Sequence, residues 1–137
     1  MAYVVAAVAL AIGFTAGSAA ASTNPGPVNT TFNFNTTLKG ATHFTVYGNG
    51  QVHIGFTEST GPAGHSESLI LNVEVQTCGA FGCNWDGKTV GGNCNLTTVV
   101  GGGYGCTWTT GISNTLHRID WTKTFDGAYI SGTATIS

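Results

Sequence analysis

From residue 28 onward, apolar side chains recur at every second position. Val28, Phe32, Phe34 and Leu38 sit between Asn and Thr residues, which is the two-residue period of a half-buried strand. The same alternation predicts strands over 42–47, 51–57, 69–76, 117–125 and 128–136, with weaker candidates over 96–100 and 104–110. Ile70 is the one misfit within 69–76.

Two turns punctuate this pattern. Gly48-Asn49-Gly50 has the composition of a short hairpin turn and would set Val46 opposite Val52, Phe44 opposite Ile54 and Thr42 opposite Phe56. His43 and His53 would then share the polar face of that hairpin. Asp126-Gly127 predicts a two-residue hairpin that sets Trp121 opposite Gly132 and His117 opposite Ile136. Its other face would pair Arg118, Asp120 and Thr122 with Thr135, Thr133 and Ser131. About seven or eight short strands with turns between them predict a mainly β fold, an antiparallel β-sandwich, Ig-like or similar.

The first 22 residues, MAYVVAAVALAIGFTAGSAAAS, break the pattern. They form an uncharged run that, as a helix, would be about as long as a bilayer core is thick. One reading is a secretory signal cleaved after Ala21, followed by the breaker Thr23-Asn24-Pro25-Gly26-Pro27. The other is a retained assembly helix, whose small residues let neighbouring helices approach closely. Val4, Val5, Val8, Leu10, Ile12 and Phe14 would then be its buried contacts, and Ala9→Lys would abolish assembly. The expected organisation is a hydrophobic helix over 1–22, a linker over 23–27 and a disulfide-bonded β-domain over 28–137.

Composition narrows the function classes. Within 137 residues, only 7% are charged and the net charge is -2, with 4 Lys and Arg in all. That is too few to neutralise a run of phosphates, so nucleic acid is excluded as a partner. A hydrophobic share of 42% is enough to build a core and argues against disorder.

Cys78, Cys83, Cys94 and Cys106 form an even set beside an export-like N-terminus, which predicts two disulfides and an extracellular location. All three connectivities are compatible with the sequence. Their spacing differs from the close pairs of structural zinc sites, and no histidine cluster predicts another metal, so no cofactor is expected. No G-x-S-x-G motif is present and no carboxylate pair is evident, so an enzyme is not expected either. Asn29, Asn35 and Asn95 head Asn-x-Thr sequons and are candidate glycosylation sites. Trp85, Trp108 and Trp121 are candidates for a sugar-stacking platform. For Trp121 core packing is the stronger reading, whereas Trp85, in the cysteine loop, is the candidate ligand or subunit contact.

An uncharged hydrophobic N-terminal segment, Ala2 to Ala21, joined to a Thr/Ser/Asn/Gly-rich β-domain with sequons resembles archaeal type IV pilins in outline. Val5 occupies the place where bacterial pilins usually carry a glutamate. The resemblance implies a structural subunit of an extracellular surface filament serving adhesion, a homopolymer with its helix in the filament core and its β-domain outside, in contact with membrane only before assembly or during export. The alternative from the residues themselves is a secreted, signal-cleaved β-sandwich binding module whose partner would be surface glycans.

Overall fold

The computed structural model describes residues 21–23, 27–62 and 64–137. The expected assembly helix, with Val4, Val5, Val8, Leu10, Ile12 and Phe14, lies outside these residues. The last two positions of that segment, Ala21 and Ser22, belong instead to a strand. Among the described residues there is no helix, and none long and apolar enough to cross a membrane.

Among the described residues twelve strands follow in order: β1 (Ala21–Thr23), β2 (Val28–Phe34), β3 (Thr37–Lys39), β4 (His43–Val46), β5 (Gln51–Thr60), β6 (Glu67–Val75), β7 (Thr77–Gly79), β8 (Gly82–Asn84), β9 (Thr89–Thr98), β10 (Gly103–Thr109), β11 (Ser113–Lys123) and β12 (Ile130–Ile136). The first sheet runs β1-β4-β11-β6-β9, with β3 also paired to β11; the second runs β10-β5-β12-β2. All pairings are antiparallel except β1 with β4. β7 and β8 form a separate hairpin.

Alternation predicted the inward faces, except at Phe125, which lies beyond the end of β11 and is exposed. Phe44, Val46, Val52, Ile54, Leu69, Leu71, Val73 and Ile119 are all buried, and Ile70 points outward. The two apolar faces pack across the core as in other two-layer β folds. At its centre Trp121 stacks on Phe32, ring centroids 4.7 Å apart, and meets Phe56 edge-on at 4.9 Å.

Neither predicted hairpin forms. β4 pairs with β11 and β5 with β10 and β12, so the turn over 47–50 crosses from one sheet to the other. β11 pairs with β3, β4 and β6 while β12 pairs with β2 and β5, so the Asp126-Gly127 turn is a second crossing. Apolar residues on both arms must face the core in a hairpin and in such an arch alike, so alternation does not distinguish them. Gly132 lies opposite Phe32, not Trp121. A Cβ there would collide with the Thr57 carbonyl and the Phe32 ring, which is why a glycine lets that ring lie flat under Trp121.

Cys94 on β9 and Cys106 on β10 are bonded, with Cα atoms 6.2 Å apart. Each strand is the edge of its sheet, so this bridge ties the two layers together along one side. Cys78–Cys83 closes the β7–β8 hairpin. Two disulfides fit an oxidising, extracellular or secreted environment.

Candidate functional site

The sequence places Glu74 on β6 and Arg118 and Asp120 on β11, all at outward-facing positions of the first sheet. The register sets Arg118 opposite Glu74, and Asp120 opposite both Lys39 and Asn72. Cross-strand neighbours of opposite charge therefore form a compact network. Lys39 Nζ lies 2.7 Å from Asp120 Oδ2 and 3.3 Å from Glu74 Oε2. Arg118 donates to Glu74 Oε2 from Nε at 3.0 Å and Nη2 at 2.8 Å, and the Gly87 N–H donates to Glu74 Oε1 at 2.7 Å.

Both carboxylates are buried, and their titrations are tied together. Burial works to raise the pKa of Glu74, but hydrogen bonds with Asp120, Arg118 and the Gly87 backbone outweigh it and hold the carboxyl at about 2. Burial pushes Asp120 up, and the adjoining Glu74 adds to it against the pull of Lys39 and Arg118, to about 6. The pair thus keeps one proton, on Asp120, through the mildly acidic range.

Trp85 follows β8 and lies over this network. Its ring sits 4.3 Å from the Arg118 guanidinium carbon, a cation–π contact, and 4.9 Å from the His43 ring. Burial, then the charge of Arg118, lowers the His43 pKa. Beside the network Thr45 Oγ1 and Asn72 Oδ1 are buried without a hydrogen-bond partner, while Asp120 Oδ1 lies 3.2 Å from Arg118 Nε in an ion pair.

Other predicted residues scatter. Trp108 and Trp121 are core residues at 3% exposure each, so no three-tryptophan platform exists. His43 and His53 lie on opposite sheets; His53 pairs with Thr107 Oγ1 at 2.9 Å. His117 is buried, stacked on Phe44, with Nδ1 donating to the Thr115 carbonyl at 2.8 Å. The expected cross-strand partners of Arg118 and Asp120, Thr135 and Thr133, are in the other sheet. Among the described residues no group of three or more His, Cys, Asp and Glu could hold a metal ion. The Asn29 side-chain oxygen Oδ1 accepts from Thr135 Oγ1 at 2.8 Å on the outer face of the second sheet. Asn95 is exposed on β9, and Asn35 is half-buried in the turn after β2.

The Glu74–Asp120 pair escaped the sequence reading. The two residues are 46 positions apart in numbering, and β6 and β11 carry no local signal that they are neighbours. The only trace was a carboxylate at an outward position of each strand.

A second ionic cluster has no such open face. Lys123, with its side chain fully buried, reaches Asp126 Oδ1 at 2.6 Å and Glu67 Oε2 at 3.5 Å. It also donates to the Thr124 and Ala128 carbonyls. On the side away from the Cys94–Cys106 bridge, an apolar cleft of about 60 Å³ opens between β2 and the β3–β4 junction, lined by Phe32, Leu38, Ile54, Ile119 and Trp121.

No family model and no curated protein matches the sequence. Among solved structures, the chain is similar to one from the T13 particle of infectious bursal disease virus, with 14% identity and a TM-score of 0.36, covering 80% of this chain and 30% of that one. A chain of the Gx strain of the same virus gives 11% identity and a TM-score of 0.35, covering 82% and 32%. The chain therefore spans about a third of the length of these structures.

Proposed function

We propose that this chain is a structural subunit of an extracellular assembly built from copies of itself, the pilin-like role its outline implies. One observation carries the reading: most charged side chains are buried or held in ion pairs away from the second sheet, with Lys39, Asp86, Lys88 and Asp126 the exposed ones, so that the outer face of that sheet is left uncharged. Lys39 and Arg118 offset Glu74 and Asp120, and Lys123 offsets one of the two carboxylates of Glu67 and Asp126. Glu58 is buried against Thr98.

The outer face of the second sheet carries Asn29, Thr31 and Asn33 on β2, Ser131, Thr133 and Thr135 on β12, and Thr57 on β5. It bears no charge. Copies meeting through such surfaces avoid the desolvation of ionised groups, which is why charge is depleted at interface cores. Sedimentation velocity and negative-stain electron microscopy of protein recovered from the cell surface test the reading. Polymers of uniform width are expected, and a monomer at every concentration would overturn it.

A second reading, a secreted glycan-binding module, rests on Trp85 with Arg118 and His43 beside it. Arg118 covers part of the indole that a sugar ring would need. Glycan titrations followed by Trp fluorescence, lost in Trp85→Ala, would favour the module.

A further inference from the structure

The two sheets are tied together along one side and open along the other. On the tied side β9 and β10 are joined by Cys94–Cys106, the β6–β9 register shifts between Asn72 and Val73, and the Trp108 indole N–H donates to the Gly92 carbonyl at 3.1 Å. On the open side the first sheet ends in β1, three residues long, and the second ends in β2, seven residues long. β2 pairs with β12 over its whole length without a register shift. It is therefore a regular edge, and its other row of main-chain N–H and C=O groups meets no strand among the described residues.

Edge strands of folded domains are ordinarily blunted by a lysine, a proline, a bulge or short length, because an unprotected edge templates a further strand. β2 has none of these. Its sequence, Val28-Asn29-Thr30-Thr31-Phe32-Asn33-Phe34, holds no charge, no proline and no glycine, the composition of segments that pair with copies of themselves.

The chemistry of such an edge sets what it accepts: another extended strand, whose side chains must match on both faces. β2 matches itself. Placed antiparallel and centred on Thr31, two copies bring Thr31 opposite Thr31 and Asn29 opposite Asn33 on the outer face. On the inner face Thr30 comes opposite Phe32 and Val28 opposite Phe34. Hydroxyl meets hydroxyl, amide meets amide and an aromatic residue meets a β-branched one, which are pairings that stabilise antiparallel strands. Asn29, Thr31 and Asn33 are all exposed, and no ionised group is desolvated when they meet. A shift of two residues in either direction leaves the ends of both strands unpaired.

We infer that β2 pairs antiparallel with β2 of a second copy, centred on Thr31, so that the second sheets of two copies become one continuous sheet. This rests on the self-assembly reading and supplies its first contact. The contact is two-fold symmetric and closes on itself. The pair then presents one uncharged face of double width, through which further copies meet as that reading requires.

Sedimentation velocity of the full chain with a charge placed at the centre of the contact tests the inference. Thr31→Lys and Thr31→Asp each set like charges directly opposite one another across the two-fold axis. The side chain is exposed, so thermal melts should match the parent while pairing weakens on the order of 10-fold or more. Mixed, the two variants should pair again as 1:1 heterodimers, because opposite charges then face each other. Thr133→Lys, one strand inward on the same face, should leave the pair intact. Hydrogen exchange in the parent should slow at alternate amides of 28–34 when copies pair; the same protection in chains diluted to monomers would mean that the chain covers its own edge, and would overturn the inference. If the parent assembles and Thr31→Lys does so equally, if the mixture fails to pair, or if Thr133→Lys abolishes the pair, the edge contact is wrong while the self-assembly reading survives. If the parent is monomeric at every concentration, both fall.

Discussion

The two disulfides differ in loop length by about 1 kcal/mol of chain entropy, yet their location should separate the effects of removing them further. In the chain-entropy description, a link spanning 12 residues, as in Cys94–Cys106, restricts the unfolded chain by about 3 kcal/mol; one spanning 5, as in Cys78–Cys83, by about 2 kcal/mol. The location of each bridge changes how much of that reaches folding. Cys94 and Cys106 pack against the core, and their strands stay ordered by it when the bond is cut. The entropy released then belongs to the unfolded state alone, and the full ~3 kcal/mol should be lost. The β7–β8 hairpin is exposed at every position, so without its bond it frays in the native state too. Both states gain entropy, and global stability should change by less than about 1 kcal/mol. Guanidinium unfolding of Cys94→Ala/Cys106→Ala and Cys78→Ala/Cys83→Ala pairs measures both. Equal losses would refute the argument, because they would mean that the hairpin belongs to the cooperative core.

Asp120 prefers its proton in the folded state, so its contribution is fullest below its ordinary pKa of 3.8 and is lost as pH rises to about 6; Glu74 works oppositely, its contribution being lost as pH falls from 4.5 toward 2. The pair's own contribution should therefore peak near pH 4, and Asp120→Asn should remove from the parent's profile a decline of up to ~3 kcal/mol between pH 4 and 7, seen as the difference between the two profiles; parallel profiles would contradict the pairing. Lys123→Ala strands buried Glu67 without its cation and should destabilise by roughly 3 to 5 kcal/mol in urea unfolding, whereas a loss below about 1 kcal/mol would mean that water reaches the site. Gly132→Val should prevent folding or lower Tm by more than 10 °C, since ~2 to 3 kcal/mol of overpacking falls on the Phe32–Trp121 stack; an unchanged melt would show that the Phe32 ring can move aside.

The sequence by itself determined the inside and the outside of this protein. Alternation along 42–47 and 51–57 put Phe44, Val46, Val52 and Ile54 in the core whichever strands they joined, because a pleated strand sends successive side chains to opposite faces. Glycines at 48 and 50, with φ of 63° and 71°, supplied the turn between them. The even set of cysteines pointed to two bridges and an oxidising environment, and the cysteine loop marked Trp85 as the tryptophan outside the core. None of this named a partner strand. The Gly48–Gly50 turn has the same composition in a hairpin and in a crossing between layers, and the choice is made by distant strands: β11 takes β4, while β10 and β12 take β5. Tertiary structure alone therefore brought Glu74 to Arg118 and Asp120, set Trp85 over them and chose Cys94–Cys106 among the open pairings. Local pattern encodes burial because burial depends on each residue's own transfer from water. Pairing depends on the fit of whole strands far apart in the chain, and no local period records it.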